Sequence, residues 1–116
     1  MSPDASGFVR LDGIAASDLA TGELRTAKLA NGTRLCVGRH DGGVFAVKDE
    51  CPHAEFPLSE GTLYANGELE CCWHGARFDC RTGAVLRGPA EEPLVQFEVE
   101  VREGTLWARR AVRVTR

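Results

Sequence analysis

No apolar run in the 116 residues approaches the roughly 20 that a membrane-spanning helix needs, although 43% of the chain is hydrophobic. The start, Met1 to Arg10, lacks the basic and apolar regions of a secretory signal, and Asp4 stands where an apolar segment would be. The expectation is a cytoplasmic protein with no membrane anchor. Internal repeats and low-complexity stretches are absent too, so neither a repeat architecture nor a disordered linker is expected. The length is that of one domain, without room for a second core of useful size. Cysteine is not scarce, but its count of five is odd, which argues against a closed disulfide framework. Clustered Cys and His in an unexported chain point to metal binding instead. Basic charge is scarce over most of the chain. The formal net charge is −3, and without the four arginines of the last eight residues (Arg109, Arg110, Arg113, Arg116) residues 1–108 carry −7. That excludes a nucleic-acid-binding body. A modestly acidic surface suits docking on a basic protein and plain solubility alike.

Helical periodicity is also nearly missing; only Ala15–Leu19 offers a helical turn. Turn signals recur about every ten residues, between short segments rich in Val, Leu and Phe. Asn31–Gly32 divides Thr26–Ala30 from Arg34–Gly38, and Asn66–Gly67 divides Thr62–Ala65 from Glu68–Cys71, each a strong hairpin signal. Asp41–Gly42–Gly43 precedes Val44–Lys48, Arg81–Thr82–Gly83 precedes Ala84–Leu86, and Glu103–Gly104 precedes Leu106–Ala108. Val95, Phe97, Val99 and Val101 alternate with polar residues, the period of a half-buried strand, and Phe97 and Trp107 are expected in the core. The fold class is all-β, a sandwich or small barrel. The alternation breaks at Glu50–Gly61 and Cys72–Gly75. These segments read as loops held between strand pairs, where functional residues are commonly presented.

The chemistry-bearing residues lie at those breaks. Cys51–Pro52–His53 is followed, after seventeen residues, by Cys71–Cys72–Trp73–His74. Each loop offers one thiol and one imidazole. A structural zinc site more often takes a Cys-x2-Cys pair from one segment and a second pair from another. Cys-x-His matched by Cys-x2-His suits a two-metal cluster with distinct ends, two thiolates on one iron and two imidazoles on the other. Cys36 reads as a core thiol, Cys80 as structural, and His40 as a solvated turn residue.

The first loop, Cys51-Pro52-His53-Ala54-Glu55-Phe56-Pro57-Leu58-Ser59-Glu60-Gly61, resembles the C-x-H-x4-L-x2-G pattern of the Rieske ferredoxin family. The second, Cys71-Cys72-Trp73-His74-Gly75-Ala76-Arg77-Phe78-Asp79 with Thr82-Gly83, resembles its C-P-x-H-G-x-x-F-D-x-x-T-G pattern. Gly88-Pro89-Ala90 is similar to the third loop that covers the cluster in such proteins. The resemblance spans about residues 8 to 108. It implies a Rieske iron–sulfur domain: an antiparallel β-sandwich or barrel base (about 8–46 and 88–108), an inserted cluster-binding subdomain (about 47–87), and a basic tail at 109–116. It implies one [2Fe–2S] cluster of Rieske type with Cys51, His53, Cys71 and His74 as ligands. Leu58 and Gly61 become scaffold for loop one. Trp73 becomes either part of a docking surface or packing for its own loop, and Pro89 either a shield for the cluster or a turn proline.

The implied activity is single-electron transfer, from a flavin-dependent ferredoxin reductase to a terminal oxygenase, without catalysis by this chain. Alternatives are an accessory ferredoxin of iron–sulfur assembly, or a small subunit of a reductase complex such as nitrite reductase. After the ligands only His40 remains, too few for the two-histidine, one-carboxylate iron site of an oxygenase. High-potential members join the two loops by a disulfide and place Ser and Tyr hydroxyls near the cluster. Phe56 and Trp73 stand at the disulfide positions here, and Ala76 and Phe78 at the hydroxyl positions, so a potential toward the low end of the Rieske range is expected. Cys72 departs from the pattern's proline, which releases a fixed φ and adds an oxidisable thiol.

Overall fold

A computed structural model of the chain describes residues 7–51, 57–72, 75–88 and 92–111. Six strands close a barrel: β1 (Val9–Ala15), β2 (Leu24–Lys28), β3 (Arg34–His40), β4 (Gly43–Lys48), β9 (Gln96–Arg102) and β10 (Thr105–Arg110). Their order around the barrel is β1-β10-β9-β4-β3-β2, with antiparallel neighbours. Between β4 and β9 the chain builds a second, four-stranded sheet in simple sequential order from β5 (Thr62–Leu63), β6 (Glu68–Glu70), β7 (Arg77–Asp79) and β8 (Val85–Arg87). The all-β expectation holds, and Ala16–Asp18 forms the short 3-10 turn that stands in for a helix. Two strands, β1 and β7, went unread in the sequence. Asp12 and Gly13 interrupt the apolar pattern of β1, where the pairing with β10 shifts register between Arg10 and Ala15. β7 is only three residues long, too short for a periodic signal.

Two apolar cores explain the burial. Leu35 and Val37 of β3, Ala46 of β4, and Leu11, Leu19, Ala27, Leu106 and Ala108 fill the barrel. The opposite faces of β3 and β4 supply Cys36, Phe45 and Val47 to a second core under the second sheet, with Leu69, Phe78 and Leu94. Leu35 through Val37 are therefore covered on both faces, each at 0% exposure. Their unbroken apolar run is that of a strand buried on both sides rather than an alternating one. At the rung Gly38↔Phe45, a Cβ on Gly38 would lie 2.6 Å from the Phe45 ring, so glycine lets the ring lie across the hairpin.

Three side chains differ from expectation. Trp107 is only half-buried. Leu106 and Ala108 take the inward parity of β10, so Trp107 faces outward opposite Glu100, with the Arg102 guanidinium 4.7 Å from its ring centroid. Val101, at the end of β9, is 49% exposed despite its inward parity, and Phe97 packs against the barrel core while only partly buried. The basic run at the C-terminus begins inside a strand: β10 extends through Arg110, and Arg109 pairs with Glu98 at 3.2 Å.

Candidate metal centre

Loop one leaves the barrel at the end of β4. Cys51 is fully buried in the second core, beside Leu58 of a 3-10 turn (Leu58–Glu60) that follows the loop. Asp49 ties the two ends of this loop together. Its Oδ1 accepts the Ser59 N–H at 2.8 Å and its Oδ2 the Ser59 hydroxyl at 2.7 Å, so it caps the 3-10 turn from ten residues upstream. The Thr26 hydroxyl on β2 donates to the same Oδ2 at 3.0 Å, which anchors the loop to the barrel wall. Sequence reading missed Asp49 and Ser59. The only available signal was a pair of small polar residues bracketing a Cys-x-His loop.

Gly61 follows, and a Cβ there would sit 2.0 Å from the Glu70 carbonyl oxygen and 3.2 Å from that of Leu58. The stem of loop one thus presses on the stem of loop two, which is why Gly61 belongs to the scaffold. Leu58 is 0% exposed, as a scaffold anchor should be.

Loop two joins β6 to β7. Glu70↔Arg77 is the last rung of that ladder, and the Cys71 N–H closes one further bond to the Ala76 carbonyl at 2.8 Å. Inward parity puts Leu69 and Cys71 in the core and leaves Glu68 and Glu70 on the outer face. Cys71 is 1% exposed, in the same buried cluster as Cys51, while Cys72 is exposed. The Cys72 thiol lies above its ordinary value, chiefly by desolvation and then by Cys71 and Glu60. Ala76 and Phe78, the two positions without hydroxyls, are both 0% exposed in that cluster.

The Phe-Asp-x-x-Thr-Gly run has a local physical basis. Phe78 fills the core. Asp79 Oδ1 accepts the Arg81 N–H at 2.8 Å and the Thr82 N–H at 3.3 Å, and the Thr82 hydroxyl oxygen accepts from the Ala84 N–H at 3.2 Å. The Gly83 carbonyl receives the Leu94 N–H at 2.9 Å, which brings the chain after the third loop against the second sheet. Cys80 is buried in this turn, and burial, helped by Asp79, pushes its thiol up to about 11. Cys36 is buried as expected, and its thiol is raised further still by desolvation, with Asp49 adding to it.

His40 is not the solvated turn residue expected. It ends β3 half-buried, its Nε2 3.0 Å from the Ala65 carbonyl and its Nδ1 3.3 Å from Arg81 Nη2. Arg81 also reaches Asp41 Oδ2 at 3.3 Å, so the β3–β4 hairpin is stitched to two turns of the second sheet. No metal role follows for His40, since both ring nitrogens are engaged.

His53, His74, Trp73 and Pro89 lie outside the described residues. Among the described residues no three His, Cys, Asp or Glu side chains converge as a metal site. Of the four expected ligands the structure describes Cys51 and Cys71, both in one buried apolar cluster at the base of two braced loops. Two buried thiols, one from the stem of each loop, suit a centre that takes one thiolate from each.

Residues 11–98 match the model of the Rieske [2Fe–2S] domain. The chain is 40% identical over 93 residues to the ferredoxin component of the p-cumate 2,3-dioxygenase system of Pseudomonas putida, covering 80% of this chain and 79% of that one. It is 43% identical over 73 residues, 63% of this chain and 70% of the relative, to a 3-phenylpropionate/cinnamic acid dioxygenase ferredoxin subunit of Photorhabdus laumondii. Among solved structures, the ferredoxin of carbazole 1,9a-dioxygenase from Nocardioides aromaticivorans superposes with a TM-score of 0.80 at 30% identity, over 90% of this chain and 98% of that one. A chain in the complex of reduced oxygenase and oxidized ferredoxin of carbazole 1,9a-dioxygenase superposes at 0.81 with 33% identity, over 91% and 97%. With its two thiols buried at the base of paired loops and its matched span covering most of the fold, this chain belongs to the Rieske [2Fe–2S] family, and its cofactor is a Rieske-type cluster.

Proposed function

We propose that this chain is a one-electron carrier that delivers electrons to a terminal oxygenase, holding its cluster through Cys51, His53, Cys71 and His74. The observation that carries the ligand reading is the shared burial of Cys51 and Cys71 in a single cluster, with the neighbouring Cys72 left exposed. Bound there, the cluster supplies reversible one-electron oxidation and reduction at a potential above that of an all-thiolate centre. The chain's own residues do the rest. Asp49, Ser59 and Thr26 fix loop one to the barrel. The Cys71–Ala76 bond closes loop two. Leu58, Leu69 and Phe78, all at 0% exposure, keep water from the thiol side. The barrel serves as the base and the four-stranded sheet with its loops as the cluster-binding subdomain.

Ala76 and Phe78 offer no side-chain hydroxyl to stabilise the reduced state. That supports a midpoint toward the low end of the Rieske span, about −150 to +300 mV. The imidazole end is the exit for the electron. Trp73 and Pro89 serve in cluster shielding or partner docking, and Leu86, 52% exposed on β8 just before the third loop, leaves an apolar side chain open to a partner. A flavin-dependent reductase supplies the electrons, and the protein works in the cytoplasm; no described helix is long and apolar enough to cross a membrane. Relatives named as ferredoxin components of dioxygenase systems support the oxygenase partner.

The test is reconstitution. The purified protein, mixed with a flavin reductase, reduced nicotinamide and candidate terminal oxygenases, should be reduced by the first and reoxidised by one of the last. Reduced samples should give a rhombic paramagnetic signal with an average g below that of all-thiolate clusters. Failure of every oxygenase to accept electrons would end the oxygenase reading, and an all-thiolate average g would end the histidine ligation.

A further inference from the structure

The outer face of the second sheet carries a polar group that neither ligand loop requires for its backbone path. Arg77 Nη1 meets Glu68 Oε1 at 2.9 Å and its Nε meets Glu70 Oε2 at 3.4 Å. The Tyr64 hydroxyl donates to Glu70 Oε1 at 2.7 Å, and the guanidinium carbon lies 4.4 Å from the Tyr64 ring centroid. The side chains of Arg77, Glu68 and Glu70 are 27%, 30% and 24% exposed, so the group is mostly covered rather than waving in solvent.

Its position is what matters. Glu70 and Arg77 face each other across the last rung before loop two, and the next bond, Cys71 N–H to Ala76 carbonyl, closes the loop itself. A Cβ on Gly75 would lie 3.5 Å from Glu70 Oε2, so the carboxylate sits against the returning limb of the loop. Tyr64, in the β5–β6 connection, joins a third segment to the same point. The group therefore grips both limbs of loop two at its base.

We propose that Tyr64, Glu70 and Arg77 form a positioning clasp for the second ligand loop, supplying stiffness that Cys72 removes by standing where the family pattern has proline. This rests on the reading of Cys71 and His74 as ligands. A proline would hold φ near −65° at that point of the loop. Cys72 leaves the torsion free, and the clasp restricts the loop from beneath by charge-assisted bonds, which are directional as well as attractive.

The test is the rate of cluster loss to an iron chelator, with the linewidth of the paramagnetic signal in the same variants. Glu70→Gln and Arg77→Met should each release the cluster about tenfold faster, equivalent to about 1.4 kcal/mol, and broaden the signal. The unfolding midpoint of the barrel should stay in place. Adding Cys72→Pro to Glu70→Gln should recover most of the loss. If that double variant does not fold, Tyr64→Phe, which removes the hydroxyl bond to Glu70 Oε1 and keeps the ion pairs, should speed release in the same direction. Release at the parental rate in both single variants, no recovery by Cys72→Pro in a folded double variant, or, where that variant does not fold, a parental rate in Tyr64→Phe, overturns the clasp. Cys71→Ser separates the two readings. If it loads a normal cluster, the ligand assignment fails. If it does not load while Glu70→Gln behaves as the parent, the clasp alone fails.

Discussion

Gly61→Ala is the smallest change that should disable the cluster site without touching a proposed ligand. The added methyl would lie 2.0 Å from the Glu70 carbonyl oxygen, where real Cβ contacts essentially never fall below 3.0 Å, so the two loop stems must part by about 1 Å. Relief by rotating a side chain is impossible, because the obstacle is backbone. Nor can the Glu70 carbonyl retreat alone, since Glu70 pairs with Thr62 on one side and Arg77 on the other. Overpacking of this kind costs about 1–3 kcal/mol, and a backbone obstacle places it at the upper end, about 3 kcal/mol. For a domain of this size that is a fall in melting temperature on the order of 10 °C. The displaced segment is the one that carries Cys71, so iron content should drop with it. Circular dichroism melting and iron analysis read both effects. Gly43→Ala is the control, since its methyl would meet nothing closer than the His40 carbonyl at 3.7 Å. If Gly61→Ala melts with the control and loads fully, the reasoning about the paired stems is wrong.

Two further outcomes follow from the surroundings of the site. Asp49→Ala removes the acceptor for Ser59 N–H, the Ser59 hydroxyl and the Thr26 hydroxyl. It should cost about 2 kcal/mol in denaturant unfolding and speed cluster loss, with Asp49→Asn intermediate; an unchanged unfolding midpoint would refute the anchoring role. The second concerns alkaline pH. Cys80 stays protonated in the folded chain up to about 11, whereas an unfolded thiol ionises near 9. Its contribution is fully present below pH 9 and is lost as pH rises through 11, about 1.4 kcal/mol per unit and about 3 kcal/mol in all. Cys36, raised in the same direction by burial, adds to the slope. Cys80→Ala should flatten part of that slope in denaturant titrations between about pH 8 and 10.5, and a parental protein with no alkaline loss would contradict the burial of both thiols as neutral groups.

The expected ligands could be named from sequence because their chemistry is local in the chain. Cys51 and His53 are two residues apart, Cys71 and His74 three, and hairpin turns such as Asn31–Gly32 and Asn66–Gly67 announce themselves in adjacent residues. Backbone conformation at such turns depends on the residues that occupy them, so the strand count and the loop positions could be read with few errors. Where reading failed, the deciding partner lay far off in sequence. Trp107 was expected inside on hydrophobicity, yet its strand's parity, set by Leu106 and Ala108, turned it outward onto Arg102. His40 was assigned to solvent from its Asp-Gly neighbours, and was then claimed by Ala65 and Arg81.

The residues by themselves determined the family, the all-β class and the paired Cys/His loops, because each follows from types and spacings within a dozen positions. Only the tertiary structure decided that Cys71 faces the core while Cys72 faces out, that Asp49 binds both ends of loop one, and that Gly61 has no room for a methyl group. The physical reason is range. Torsional preferences and turn chemistry act between neighbours, whereas hydrogen bonds and van der Waals contacts act across a few ångströms between segments whose meeting depends on the completed sheets.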